Sequence, residues 1–426
     1  MIGAEVFLWG TRIGYVVQDN ISAIPMFSYD KNFLKSGIEL SPITMPLSEQ
    51  IYSFQNLNNE TFHSLPGLLA DSLPDKFGTD LLARYLAEQG RSINDISSVE
   101  QLLYIGSRGM GALEYRPAKE YEKIKDDTVN IDELVKLAAD ILQKRKNIHI
   151  KENSNTMKQI IKVGTSAGGA KAKAVIAWNK KKGDIRSGQI ETGSGYEYWI
   201  IKFDGTSTED TKADKRCYTR VEYAYYLMAK SAGIDMSECS IYKESGRFHF
   251  MTKRFDRIKE TGEKLHMLSL GAIAHYDFNS PGSTSYEQAA NVMYKLKLNQ
   301  NEIEQLFMRM VFNVMARNQD DHVKNISFLM NRKGEWSLAP AYDLTYAYIP
   351  NSIWTGKHQM SINGKTENLT KQDIVDCGRH MNISNMKIKN IILRVETSIA
   401  DWDKFAQQAE LPKLIIKEKK KNFVML

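Results

Sequence analysis

The sharpest periodic signal in the chain lies at residues 301–318, where Ile303, Leu306, Phe307, Met310, Val311, Val314 and Met315 recur at i, i+3, i+4, i+7, i+8, i+11 and i+12. That spacing lays one apolar stripe along a 3.6-residue helix and predicts a long buried helix ending at Asn318-Gln319. Beyond it, short apolar segments at 326–330 and 336–339 flank the turn Asn331-Arg332-Lys333-Gly334, the pattern of a β-hairpin that delivers the chain to Tyr342-Asp343-Leu344. Upstream, a glycine-rich stretch at 163–173 runs into a β-like segment at 174–178, a turn at 181–184 and an apolar segment at 198–203 that holds Lys202. A helical stretch at 221–232 follows, with Glu222 near its start, and then two strands at 240–243 and 248–255 joined across Ser245-Gly246. The order is strand, strand, strand with lysine, helix, strand, strand.

The first 125 residues are different in texture, rich in turn residues and short apolar stretches. Residues 5–17 read as two strands joined at Gly10-Thr11, and amphipathic helices are expected at 75–87 and 98–104. A polar stretch at 119–127 reads as a linker. The expected divisions are therefore an N-terminal α+β module over 1–125, a β-rich unit with the glycine-rich loop over 126–255, and a mainly helical unit over 256–426.

Composition fits this plan. A chain of 426 residues with 42% hydrophobic and 25% charged residues is that of a globular protein of two or three compact units. Cys217, Cys239 and Cys377 are few, dispersed and odd in number, which points to free thiols in a reducing compartment rather than a disulfide framework. No stretch approaches the roughly 18 apolar residues of a membrane span, so a soluble, cytoplasmic protein with no membrane partner is expected. The formal charge of +6 has its most local piece at 417–421, which reads as a solvated charged end rather than a nucleic-acid patch.

Phosphoryl transfer from ATP requires a group that accepts the proton of the attacking hydroxyl, oxygen ligands that hold magnesium against the phosphates, and cations and backbone donors for the phosphate charge. Each has a candidate here. The base aspartate and the metal-binding asparagine of protein kinases stand five residues apart after a buried helix, and the second metal aspartate follows a hairpin. Asp320 and Asn325 have that offset, whereas Asp321 is one residue too close, and Asp343 follows the hairpin. Taken singly, Asp320-Asp321-His322 would suit a helix-capping loop and Asp343 a turn; their conjunction with helix and hairpin favours the catalytic reading. His322 and Lys324, between the two key residues, are placed to meet phosphate or the attacking hydroxyl, though His322 suits a packing role equally. Lys202 ends an apolar strand as the phosphate-binding lysine of kinases does. Glu222 is either its partner or a surface carboxylate. Gly168-Gly169 would let main-chain N–H groups approach phosphate, but the Walker spacing is absent. Lys253-Arg254-Phe255 sits where a kinase hinge meets adenine, and Phe255 suits the core equally.

These residues resemble the HipA family, serine/threonine kinase toxins of type II toxin–antitoxin systems. The resemblance covers nearly the whole chain. It runs through Leu65-Pro66-Gly67-Leu68-Leu69-Ala70-Asp71-Ser72-Leu73-Pro74-Asp75, Gly106-Ser107-Arg108-Gly109-Met110-Gly111-Ala112-Leu113-Glu114 and Thr165-Ser166-Ala167-Gly168-Gly169-Ala170-Lys171-Ala172-Lys173. Its most specific segments are Arg254-Phe255-Asp256-Arg257, Asp320-Asp321-His322-Val323-Lys324-Asn325 and Pro340-Ala341-Tyr342-Asp343-Leu344.

The resemblance implies an α+β, protein-kinase-like bilobal fold, with a β-rich small lobe and a mainly helical large lobe, preceded by the small N-terminal module. It implies Asp320 as base and Asn325 and Asp343 as ligands of Mg2+. ATP contacts would fall at Gly168, Gly169, Ala170, Lys171, Ala172, Lys173, Lys202, Lys253, Arg254, Phe255, His322, Val323, Lys324, Asn325, Tyr342 and Asp343. The inactivating autophosphorylation site of the family falls on Ser166, with Thr165 beside it. The implied partners are an aminoacyl-tRNA synthetase as substrate (glutamyl-tRNA synthetase being the familiar one), a helix-turn-helix antitoxin of HipB type, and operator DNA reached mainly through that antitoxin. Two departures stand out: Lys253 occupies a position commonly held by glutamate, and Leu344-Thr345 follow Asp343 in place of Phe-Gly. A noncatalytic corepressor subunit and a small-molecule phosphotransferase are the competing readings.

Overall fold

The computed structural model describes residues 1–117, 129–143, 171–189, 193–206, 213–258 and 262–426, so the expected linker at 119–127 lies outside the described residues. The chain forms two compact units. The first comprises Met1–Leu40, Met45–Thr219 and Cys239–Met267, and the second Ser41–Thr44, Arg220–Glu238 and Leu268–Leu426.

In the first unit, β1 (Ile2–Leu8), β2 (Thr11–Gln18), β3 (Met26–Tyr29) and β4 (Leu113–Arg116) pair antiparallel in the order β3-β2-β1-β4. The expected hairpin at Gly10 is present. Trp9 and Gly10 both take positive φ (49° and 80°), the primed turn whose twist suits two adjoining strands. Alternation then buries Ala4, Val6 and Leu8 on one face of β1.

The second sheet consists of β5 (Lys173–Asn179), β6 (Asp184–Ser187), β7 (Glu197–Lys202), β8 (Cys239–Glu244) and β9 (Arg247–Lys253), ordered β6-β5-β7-β9-β8 and antiparallel throughout. β7 is central, and its last residue, Lys202, lies between Lys173 of β5 and Phe250 of β9. Ala174, Ile176, Trp199, Ile201 and Met251 from this sheet pack with Phe77 and Leu81 of the Lys76–Glu88 helix. Ile131, Leu134, Val135 and Ala138 of the Ile131–Gln143 helix complete that core. Each fully buried Ile, Leu, Val, Phe or Met side chain here contributes about 1.5–3 kcal/mol. The 131–143 helix was not among the expected elements, although its apolar residues recur at i, i+3, i+4 and i+7.

The second unit is mainly helical, as the resemblance implied. Its axis is the Gln300–Met315 helix. Asn299 caps it by accepting from the amides of Asn301 and Glu302 at 3.0 and 3.2 Å, while Glu302 Oε2 accepts from the Asn299 amide at 3.0 Å. All seven residues of the expected stripe are buried. The stripe understates the burial, however, because Met308, Arg309, Phe312 and Asn313 are buried as well. Neighbouring elements enclose this helix on several sides, Phe312 meeting Tyr225 edge-on at 5.9 Å. The helix also ends at Met315 rather than at 318. Arg317 turns left-handed (φ 55°) and the Asn318 amide bonds back to the Asn313 carbonyl at 2.9 Å, satisfying a terminal carbonyl and stopping the helix.

The lysine-rich end is not a free tail. It forms the Lys413–Lys420 helix, in which Lys413, Lys417 and Lys420 are exposed, Lys419 lies over the Tyr346 ring at 4.4 Å and Ile416 is buried. Phe423 packs edge-on against Trp402 at 5.4 Å, and the Val424 amide donates to the Met315 carbonyl at 2.9 Å. Among the described residues no helix is long and apolar enough to cross a membrane, and all three cysteines are free and buried.

Candidate active site

In the second unit, the turn at Arg317 throws the chain off the end of the long helix into Asn318-Gln319-Asp320-Asp321-His322. A single 3-10 turn, Val323–Asn325, and the hairpin of β10 (Ser327–Met330) and β11 (Trp336–Leu338) follow. The two adjacent aspartates diverge. The Asp320 side chain is 51% exposed, whereas that of Asp321 is 1% exposed. Asp321 Oδ1 accepts from the Gln359 amide at 2.8 Å; Oδ2 accepts from the Tyr286 hydroxyl at 2.8 Å and lies 2.9 Å from His358 Nδ1. Burial, aided by the Asp321 charge, pushes the Tyr286 hydroxyl well above its usual range and keeps it a donor.

Asn325 is tied directly to Asp320, its Nδ2 donating to the Asp320 carbonyl at 2.7 Å. Tyr342 brings in the next candidate, because its hydroxyl donates to the Lys324 carbonyl at 2.6 Å and meets Ser327 Oγ at 2.5 Å. One hydroxyl thus ties the residue before Asp343 to the residue before Asn325. Arg309, buried on the long helix, donates from Nη2 to the Ala339 carbonyl at 2.8 Å and fixes the chain as it enters Pro340-Ala341. Asp343 itself takes φ 53°, a left-handed conformation that aspartate tolerates better than most residues. A small cavity in this unit is lined by Asn325, Tyr342, Leu344, Asp321, His322 and Arg309, among others. His322 stacks at a tilt on Phe278 at 5.9 Å, and the same ring takes Lys324 Nζ at 4.6 Å from its centroid. Val323 is buried.

The Asp343 carboxylate and the Asn325 side-chain carbonyl, the two expected metal ligands, form an oxygen-only donor pair. It suits a hard cation such as magnesium, which keeps several ligand positions for water or phosphate. Among the described residues there is no cluster of three His, Cys, Asp or Glu side chains that could hold a metal by themselves.

The candidates in the first unit divide sharply. Lys202 ends β7 with its Nζ 5.7 Å from the centroid of the Phe250 ring. Lys171 Nζ sits 4.3 Å from the centroid of Tyr218. Ala172 and Lys173 are buried, and the Lys173 ammonium meets Asp75 Oδ2 at 2.8 Å with both side chains almost wholly enclosed. Lys253 pairs with Glu197, and Arg254 grips Asp256 through two nitrogens at 2.9 and 2.7 Å, leaving Phe255 half-buried between them in sequence. Lys173 and Arg254 therefore have their charges engaged within the protein. Glu222 is buried and belongs to the other unit from Lys202. Thr165, Ser166, Gly168, Gly169 and Ala170 lie outside the described residues.

Asp75 also caps the Lys76–Glu88 helix, Oδ1 accepting from the Gly78 amide at 2.6 Å. Lys173→Met should therefore strand a buried carboxylate and cost about 3–5 kcal/mol, read as a drop in the denaturant midpoint. A change under about 1 kcal/mol would return Lys173 to the list of free cations.

A family model described as the HipA-like C-terminal domain matches residues 165–402, and one described as the HipA N-terminal domain matches residues 4–116. The chain belongs to the HipA family. A solved structure from Shewanella oneidensis MR-1, of HipA with HipB and its operator DNA, aligns with a TM-score of 0.67 and 17% identity over 98% of this chain and 95% of that one. This HipA-family chain shares its fold. Among curated proteins, the "Putative kinase" of Haemophilus influenzae is 30% identical over 137 residues, 29% of this chain and 39% of that protein. "Putative kinase Y4mE" of Sinorhizobium fredii is 24% identical over 131 residues, 28% of this chain and 31% of that protein. The match thus spans between about a third and two fifths of the length of these relatives.

Proposed function

We propose that this HipA-family chain is an ATP-dependent serine/threonine protein kinase, the toxin of a toxin–antitoxin pair. The observation that carries the reading is the arrangement of the 320–325 loop. It leaves the Asp320 carboxylate open to solvent while its neighbour is locked away, and it places Asn325 against the Asp320 backbone and next to the segment carrying Asp343. Asp320 accepts the proton of an acceptor serine or threonine hydroxyl, the hydroxyl oxygen bonds to the terminal phosphorus of ATP, and ADP leaves. Asn325 and Asp343 hold magnesium, which when bound offsets phosphate charge and orients the terminal phosphoryl group.

The Shewanella complex of HipA with HipB and operator DNA supports the rest by analogy: a HipB-type antitoxin as partner, with operator DNA reached through it. The substrate class is a translation enzyme of the aminoacyl-tRNA synthetase kind, and Ser166 is the site of self-inactivation, since phosphate there would bring strong negative charge to where ATP phosphates must sit.

Magnesium-dependent transfer of label from the terminal phosphate of ATP into protein tests the proposal. Asp343→Ala should keep the fold, losing about 1 kcal/mol for the left-handed backbone, and lose label transfer by about a hundredfold or more. Retained turnover at saturating magnesium would remove Asp343 from the metal site. Label confined to small molecules would favour a metabolite phosphotransferase, and no label at all a noncatalytic subunit.

A further inference from the structure

We infer that Asp321 is a positioning residue, one that aims Asp320 by locking the 354–359 segment and the Tyr286–Lys295 helix onto the 320–325 loop. Its catalytic meaning rests on the kinase reading above; its structural meaning stands on side-chain geometry alone. A carboxylate withdrawn from water is costly unless its oxygens are saturated, and an apolar residue would fill the same space at less cost. Asp321 is withdrawn and saturated, with three partners, all distant in sequence.

On one side, Tyr286 is held by Asn313 Nδ2 at 3.0 Å, and Asn313 Oδ1 in turn accepts from Asn318 Nδ2 at 2.9 Å. A polar chain thus runs from the end of the long helix, under the loop, to Asp321. On the other side, Gln359 donates its backbone amide to Asp321 and its side-chain amide to the Trp354 carbonyl, and its own carbonyl accepts from the Gly282 amide at 2.8 Å. Two adjacent residues whose side chains diverge are coupled through their shared backbone, so fixing one sets the direction of the other. Asp321 is the fixed member and Asp320 the aimed one. Such placement matters because small errors in the position of a reacting group reduce rate far more than they reduce binding.

The test uses the full chain, Asp321→Asn, His358→Ala and the double variant, with two readouts. Hydrogen exchange needs no activity: Asp321→Asn should speed exchange over residues 354–361 by about tenfold or more while the Gln300–Met315 helix keeps its protection. Label transfer from ATP into protein should show KM for ATP within about threefold of wild type and kcat lower by about thirtyfold or more. Because His358 acts through the same carboxylate, the double variant should be no slower than Asp321→Asn alone. Unchanged exchange over 354–361, an unchanged kcat, or fully additive losses would each overturn the role. A wild-type chain that transfers no label would end the kinase reading, while the exchange result would still decide whether Asp321 holds the two segments together.

Discussion

Asp320→Asn should lower phosphoryl transfer by about a hundredfold to ten-thousandfold, the range that a positioned general base supplies, with little change in stability. The Asp320 side chain is 51% exposed, and the hydrogen bond that secures this position runs from Asn325 Nδ2 to the Asp320 backbone carbonyl, which the substitution leaves in place. Asparagine keeps the shape of aspartate but has no carboxylate to accept a proton. Stability should therefore stay within about 0.5 kcal/mol, as for most exposed sites. Initial rates of label transfer at saturating MgATP, beside thermal unfolding of the same preparations, check both halves. Activity within about tenfold of wild type would remove Asp320 as the base.

Much of this site was legible from local sequence pattern. The apolar stripe from Ile303 to Met315 marks the long helix, the turn after Met330 marks the hairpin, and the Asp320–Asn325 offset distinguishes two adjacent aspartates before any coordinates are known. In the structure these two side chains diverge, Asp320 exposed and Asp321 buried. What local pattern could not reach were the partners. Asp321 finds Tyr286, His358 and Gln359 at separations of 35, 37 and 38 residues, and Lys173 finds Asp75 at a separation of 98. Nothing in the periodicity around Lys173 distinguishes an ammonium facing a nucleotide from one sealed against a carboxylate, because both suit the end of a glycine-rich loop. The sequence suggests Tyr342 as a nucleotide contact but does not show that its hydroxyl bridges Lys324 and Ser327. The 131–143 helix was legible and passed over, its stripe hidden by the polar stretch just before it.

Removing the Asp256 carboxylate should have a large effect on stability. Asp256 is completely buried and holds Arg254 through two nitrogens, Arg257 Nη1 at 2.8 Å and the Gly111 amide at 2.8 Å. Gly111 meets it with φ 73°, and a Cβ there would come within 3.0 Å of the Met267 backbone nitrogen, so glycine suits this close approach. Burial alone would raise the Asp256 carboxyl, but the charges of Arg254 and Arg257 and the hydrogen bonds from Arg254 and Gly111 outweigh it and hold the group well below the ordinary carboxylate range. Arg257, pushed down to about 10 by burial, remains charged at neutral pH. Asp256→Ala would leave two guanidinium groups enclosed without their counter-ion, a loss of about 3–5 kcal/mol in the denaturant-unfolding free energy at pH 7. The sign with pH follows from the depressed value. The carboxylate contributes fully above the unfolded value of about 4 and progressively less as pH falls below it. The gap between wild type and Asp256→Ala should accordingly be widest near neutrality and narrow steadily below about pH 4. A gap that is flat with pH, or smaller than about 1 kcal/mol at pH 7, would mean that the two arginines do not depend on this carboxylate.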